Sequence, residues 1–181
     1  MNVTVYLGAS AGNQPSFSVA VRELGFAIAD AGHTLVYGGS ASGLMGELAQ
    51  SALQRGGKVI GVEPRMFIEK QCQLEGLTEL LVTGDLAERK KKMIALGEAF
   101  IAFPGGTGTL DEISEILCLS ALGEVTGPCI LYNLNGYYEP LKTLLQRMTD
   151  CGLSTVQRQK NVHFAENIQE ILQILHLAGE E

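Results

Sequence analysis

Residues Ala99–Phe103 form an unbroken apolar run, Ala-Phe-Ile-Ala-Phe, with no polar residue at alternate positions. A strand with this pattern is apolar on both faces. Both faces must therefore be covered, which is the situation of a strand in a parallel sheet between two layers of helices. Similar short runs recur at Val3–Leu7, Thr34–Tyr37, Lys58–Val62, Glu79–Val82 and Cys129–Tyr132. Between them, apolar residues fall three or four apart, the helical spacing. Phe17, Val21, Leu24 and Ile28 mark one helix face, with Gly32 placed to end it. Leu44–Gln54 and Leu86–Leu96 read as helices. Leu110, Ile113, Leu117 and Ala121 mark a further one. Leu141, Leu144, Leu145 and Met148, and then Ile168, Ile171, Leu172 and Leu175, mark the last two. Residues 64–78 read as irregular with a short helix. This strand–helix alternation predicts one doubly wound α/β domain over residues 1–181, with a mainly parallel sheet flanked by helices. Ligands of such sheets bind at the carboxyl ends of the strands, where the strand order reverses.

Composition removes several classes of function. Hydrophobic residues make up 46% and charged residues 18%, which excludes a disordered chain. The net charge of −7 argues against binding nucleic acid but leaves room for a small phosphate held locally. No apolar run approaches the roughly 18 residues of a membrane span. The first residues enter a strand directly, so no leader peptide is expected. Cys72, Cys118, Cys129 and Cys151 lack paired spacing and read as reduced thiols of a cytoplasmic protein. His33, His163 and His176 lie far apart, and no metal site is expected.

Glycine is in excess, 22 of 181, and its placement is informative. Three glycine-rich loops each follow a strand-like run. They are Gly8-Ala9-Ser10-Ala11-Gly12, the stretch Gly38-Gly39-Ser40-Ala41-Ser42-Gly43-Leu44-Met45-Gly46, and Pro104-Gly105-Gly106-Thr107-Gly108-Thr109. In a parallel sheet all three lie at one edge. A single such loop is a tight turn. Three of them, each leading into a helix, offer unobstructed backbone N–H groups to an anion. Neither the P-loop pattern nor an intact dinucleotide fingerprint is present, although Glu63 ends a strand where a ribose-binding acid would lie.

Two charged residues stand near that edge. Glu112 has two readings. Thr109-Leu110-Asp111-Glu112 fits a helix capping box, and Glu112 also lies where a carboxylate would reach the sugar of a nucleotide. Arg89 opens the basic run Arg89-Lys90-Lys91-Lys92, which reads either as a solvated helix face or as a helix start that turns Arg89 towards a phosphate. The residues alone leave both questions open.

Pro104-Gly105-Gly106-Thr107-Gly108-Thr109-Leu110-Asp111-Glu112 resembles the PGGxGTxxE signature of the LONELY GUY (LOG) family, the cytokinin riboside 5'-monophosphate phosphoribohydrolases. Glu88-Arg89-Lys90 with Met93 resembles that family's ERKxxM element, and Tyr37-Gly38-Gly39 with Gly43-Leu44-Met45-Gly46 its second glycine loop. Gly8-Ala9-Ser10 and Gly136-Tyr137-Tyr138 are similar to its first loop and to a later GYY segment. The resemblance implies a Rossmann-like homodimer that hydrolyses a nucleoside 5'-monophosphate to free base and ribose 5-phosphate, with no cofactor or metal. It implies Arg89 and Glu112 as the catalytic pair. It implies substrate or phosphate contacts from Gly8, Ser10, Gly38, Gly39, Gly43, Met45, Lys90 and the loop Gly105, Gly106, Thr107, Gly108 and Thr109 with Asp111. Gln71 stands where the family carries a substrate-binding Glu, so AMP or an N6-modified AMP is the expected substrate rather than a cytokinin nucleotide alone. The runner-up is a non-catalytic carrier of the same fold, such as a molybdenum-cofactor carrier. A lysine decarboxylase would need a Schiff-base lysine, and no lysine here has an evident site of that kind.

Overall fold

The computed structural model describes residues 1–179; Glu180 and Glu181, the end of the expected domain, lie outside the described residues. Seven strands are present: β1 (Asn2–Tyr6), β2 (Thr34–Tyr37), β3 (Lys58–Pro64), β4 (Glu79–Thr83), β5 (Ala99–Ala102), β6 (Cys129–Tyr132) and β7 (Val162–Ala165). The helices are α1 (Pro15–Asp30), α2 (Gly43–Gln54), α3 (Arg65–Ile68), α4 (Leu86–Leu96), α5 (Thr107–Leu122), α6 (Glu139–Asp150) and α7 (Ile168–Gly179). The strands form one sheet in the order β4-β3-β2-β1-β5-β6-β7, and every neighbouring pair is parallel. This is the predicted α/β architecture.

The chain winds outwards from β1 to β4 and then crosses back to lay β5 on the other side of β1, with Val3 opposite Ala99. The strand order therefore reverses between β1 and β5. Two apolar layers cover the sheet. On one face Val3, Val5, Leu35 and Ile101 pack with Leu24 and Ile28 of α1 and Leu48 of α2. On the other, Tyr6, Val36 and Phe100 pack with Met93 of α4 and with Ile113 and Ile116 of α5. Strand β5 contributes Ala99 and Ile101 to one layer and Phe100 and Ala102 to the other, as its unbroken apolar run requires. Burying a side chain of this size is worth about 1.5–3 kcal/mol.

Local signals set the helix ends. Pro15 opens α1. Asp85 caps α4 by accepting from the Glu88 N–H at 2.8 Å, and Glu88 Oε2 accepts from the Gly84 N–H at 2.6 Å. Gly123, with φ +80°, ends α5 in the left-handed conformation. Strand β7 has no counterpart in the sequence reading. It is short, contains His163, and three of its four residues are only half-buried. Among the described residues no helix is long and apolar enough to cross a membrane.

Candidate active site

A cavity of about 470 Å³ opens at the carboxyl ends of β1 and β5, at the reversal of strand order. Its floor is the first glycine loop and the N-terminus of α5, and Phe17, Leu44, Met45 and Tyr137 form an apolar wall. Arg89 and Glu112 both face it.

The start of α5 decides how Glu112 reads. The N-cap is Gly106, which makes no side-chain cap bond, and the helix runs from Thr107. The predicted capping box on Thr109 is therefore wrong. Thr109 already lies inside the first turn and is buried, and among the described residues its Oγ1 has no hydrogen-bond partner although the residue lines the cavity. The first helical bond runs from the Leu110 N–H to the Gly106 carbonyl. The amides before Leu110 thus lie in the first turn, where N–H groups have no partner within the helix and the helix dipole favours an anion. The buried stripe of α5 also differs from the one its apolar spacing marks. Thr109, Glu112, Ile113 and Ile116 face inwards, while Leu110 is about half exposed.

Glu112 Oε1 accepts from Arg89 Nη1 at 3.1 Å, with the two side chains 8% and 13% exposed. Arg89 comes from the first turn of α4. Its Nε donates to the Val62 carbonyl at 3.1 Å, so the guanidinium is fixed from two directions. Burial pushes the Glu112 carboxyl up to about 7; Arg89 opposes that rise, Asp111 adds to it and Lys90 opposes it. The buried Tyr6 phenol is likewise driven upwards, chiefly by burial and then by the nearby Glu112.

The residues expected at the site divide into three groups. Gly8, Ser10, Met45, Gly105, Gly106, Thr107, Gly108 and Thr109 line the cavity with Arg89 and Glu112. Gly38, Gly39 and Gly43 do not; they let other groups approach. A side chain at Gly38 would collide with the Arg89 guanidinium, and one at Gly43 with the Ala9 carbonyl. Gly39 has φ +85° and lies against Glu63, whose Cβ is 2.8 Å from where a side chain would begin. Lys90, Asp111 and Gln71 stand outside the cavity. Lys90 Nζ pairs with Asp111 Oδ2 at 2.9 Å and with Glu115 Oε2 at 3.0 Å, bridging α4 to α5. Gln71 is exposed on the turn after α3 with φ +56°. Glu63, considered for ribose binding, also lies outside. It is 2% exposed, and its Oε2 has no hydrogen-bond partner among the described residues. Sequence reasoning missed Phe17 and Leu44 as wall residues, and it passed over Tyr137 although the GYY segment was in view.

A family model described as "Possible lysine decarboxylase" matches residues 45–175. The cytokinin riboside 5'-monophosphate phosphoribohydrolase of Rhodococcoides fascians is 41% identical over 169 residues, 93% of this chain and 85% of that protein. The chain belongs to the LOG family. Another LOG relative of the same name, from Arabidopsis thaliana, is 34% identical over 173 residues, 96% of this chain and 80% of its own. In structure, the molybdenum cofactor carrier protein of Chlamydomonas reinhardtii superposes with a TM-score of 0.75 at 23% identity, covering 99% of both chains. That likeness is one of fold. The decarboxylase description does not suit this LOG chain. Pyridoxal phosphate needs a lysine to bind covalently, and among the described residues no lysine lines the cavity.

Proposed function

We propose that this chain hydrolyses the N-glycosidic bond of a nucleoside 5'-monophosphate, AMP or an N6-modified AMP, to free base and ribose 5-phosphate. One observation carries the reading. Arg89 and Glu112, from two different helices, meet at 3.1 Å on the cavity into which the N-terminus of α5 opens. A phosphate at that N-terminus meets the first-turn amides. Glu112, one turn further along α5, then lies beside the sugar. As the C1'–N bond breaks, positive charge grows at C1' and the ring oxygen. The Glu112 carboxylate stabilises that charge and orients the water whose oxygen bonds to C1'. The proton released by the water ends on the departing base. Arg89 fixes Glu112 and supplies positive charge to the phosphate or to the leaving base.

The names of relatives at 34–41% identity over most of the chain support this activity. The carrier alternative rests on likeness in fold alone at 23% identity. We also infer a cytoplasmic homodimer; Leu110 and Leu122, exposed along α5, support an apolar contact between copies. Incubation of the protein with a panel of nucleoside 5'-monophosphates, with chromatography of the released base, tests the activity. Free adenine from AMP is the expected result. A co-purifying pterin with no base release would replace the hydrolase reading by the carrier one.

A further inference from the structure

Two consecutive tyrosines hold the carbonyls of the residues on either side of Pro104, Phe103 and Gly105. Tyr138 Oη donates to the Phe103 carbonyl at 2.8 Å, and Tyr137 Oη donates to the Gly105 carbonyl at 2.5 Å. The turn that carries them is itself anchored. The Tyr138 N–H donates to Asn133 Oδ1 at 2.7 Å, Asn133 Nδ2 donates to Glu139 Oε1 at 2.6 Å, and the Asn133 N–H donates to the Ala165 carbonyl of β7 at 2.7 Å. Phe17 packs edge-on against both Phe103 and Tyr137, with ring centroids 6.3 Å apart in each case.

The two phenols have different work to do. Tyr138 is buried, and its bond satisfies a buried carbonyl, which any well-packed fold requires. Tyr137 is 43% exposed and lines the cavity. Water would satisfy the Gly105 carbonyl there just as well, so folding alone gives no reason for the bond. Direction gives one. In a trans peptide the carbonyl and the following N–H point opposite ways. Holding the Gly105 carbonyl towards Tyr137 therefore turns the Gly106 N–H away from it. The Gly106 nitrogen lies beside the first glycine loop, 4.0 Å from where a Cβ on Gly8 would stand. Consecutive glycines rotate with little resistance. Without a tether, the 105–106 peptide is free to swing its carbonyl dipole into the space where an anion would sit.

We propose that Tyr137 is a positioning residue for the phosphate: its hydroxyl holds the 105–106 peptide so that the Gly106 amide is presented to the cavity. The inference rests on the phosphate-binding part of the proposed function and not on the hydrolytic step.

Tyr137→Phe removes the hydroxyl and keeps the ring. Calorimetric titration of the full chain with ribose 5-phosphate and with adenine, alongside AMP kinetics, tests the proposal. For Tyr137→Phe the Kd for ribose 5-phosphate and the KM for AMP rise roughly 3- to 10-fold, the usual range for one lost hydrogen bond. Adenine affinity, kcat and the thermal midpoint stay unchanged. Equal weakening of adenine and ribose 5-phosphate would make Tyr137 a wall residue only and overturn the proposal, as would no change in either. An unaltered protein that binds ribose 5-phosphate but releases no base from AMP overturns the hydrolase reading, while the ribose 5-phosphate affinities still decide the role of Tyr137. If it binds no ribose 5-phosphate, both readings fall.

Discussion

Two glutamates are buried at the carboxyl edge of the sheet, and they differ in nearly everything except burial. Glu112 is 7% exposed, lines the cavity and holds Arg89 at 3.1 Å. Glu63 is 2% exposed, lies against Gly39 outside the lining of the cavity, and has one carboxylate oxygen without a partner among the described residues. Burial raises the proton affinity of both carboxyls, and Arg89 opposes the rise in both. A displaced titration is thus no guide to which of them does chemistry. Access to the cavity and a fixed cationic partner separate them.

The sharpest way to break that contrast is to neutralise each acid in turn. Glu112→Gln is expected to slow base release from AMP by about 10²–10⁴-fold, the range for losing a positioned acid–base group. A single-turnover assay of the variant would refute the role if the rate stayed within a few-fold of the parent. Arg89→Lys keeps the charge but loses the planar fork that reaches both Glu112 and the Val62 carbonyl. Its expected loss in kcat/KM is roughly 10- to 100-fold.

The pH profile sharpens the comparison further. With Glu112 active as the carboxylate, kcat/KM climbs about tenfold per pH unit up to about 7 and then levels. That limb vanishes in Glu112→Gln and survives in Glu63→Gln. Stability runs the other way. The fold raises the Glu112 carboxyl from an ordinary 4.5 to about 7, so the folded state favours the bound proton. Its contribution to stability is complete below about pH 4.5 and lost as the pH rises through about 7, which urea midpoints across that window would register.

Two smaller effects concern the Glu63 side alone. Gly39→Ala puts a side chain at φ +85°, against Glu63. It is expected to cost about 1–2 kcal/mol, read from the thermal midpoint. Glu63→Gln is the mildest change, with base release within about twofold of the parent and stability at pH 8 equal or slightly higher, because a buried charge is removed. A large activity loss in Glu63→Gln would erase the distinction drawn here.

Much of this was legible in the sequence. Ala99–Phe103 announced a strand covered on both faces, and the Arg89 and Glu112 motifs pointed to a pair that does meet. What escaped was geometry that spacing cannot encode. The apolar stripe read from Leu110, Ile113 and Leu117 put Glu112 beside the buried face, but the face of α5 that packs on the sheet is Thr109, Glu112, Ile113 and Ile116, with Leu110 about half exposed. Gly38 and Gly39 read as phosphate contacts because a glycine looks the same whether it admits a ligand or a neighbouring side chain. The resemblance implies Lys90 and Asp111 as substrate contacts, while in space they pair with each other. Gln71 takes the position of the family's glutamate, but it sits exposed in a left-handed turn, and it is the residues after it that pair with the second glycine loop, through the Ala41 N–H to the Cys72 carbonyl and the Leu74 N–H to the Gly39 carbonyl. Strand β7 was lost because a half-exposed edge strand needs little apolar character.

The central position of β1 has a consequence for the order in which the molecule becomes usable. Strands β1 to β4 can pair among themselves from neighbouring stretches of chain, but they leave one side of β1 as an open, apolar edge, ready to pair with any other strand it meets. That edge closes only when β5 arrives, with Val3 opposite Ala99 and Tyr6 opposite Ala102. The same docking event carries in α5 and delivers Glu112 to an Arg89 already waiting on α4. A newly made chain therefore gains its complete reactive pair in the step that covers β1, while β5 in turn presents an open edge until β6 pairs with it, so the first appearance of activity would time the covering of β1 rather than the completion of the sheet.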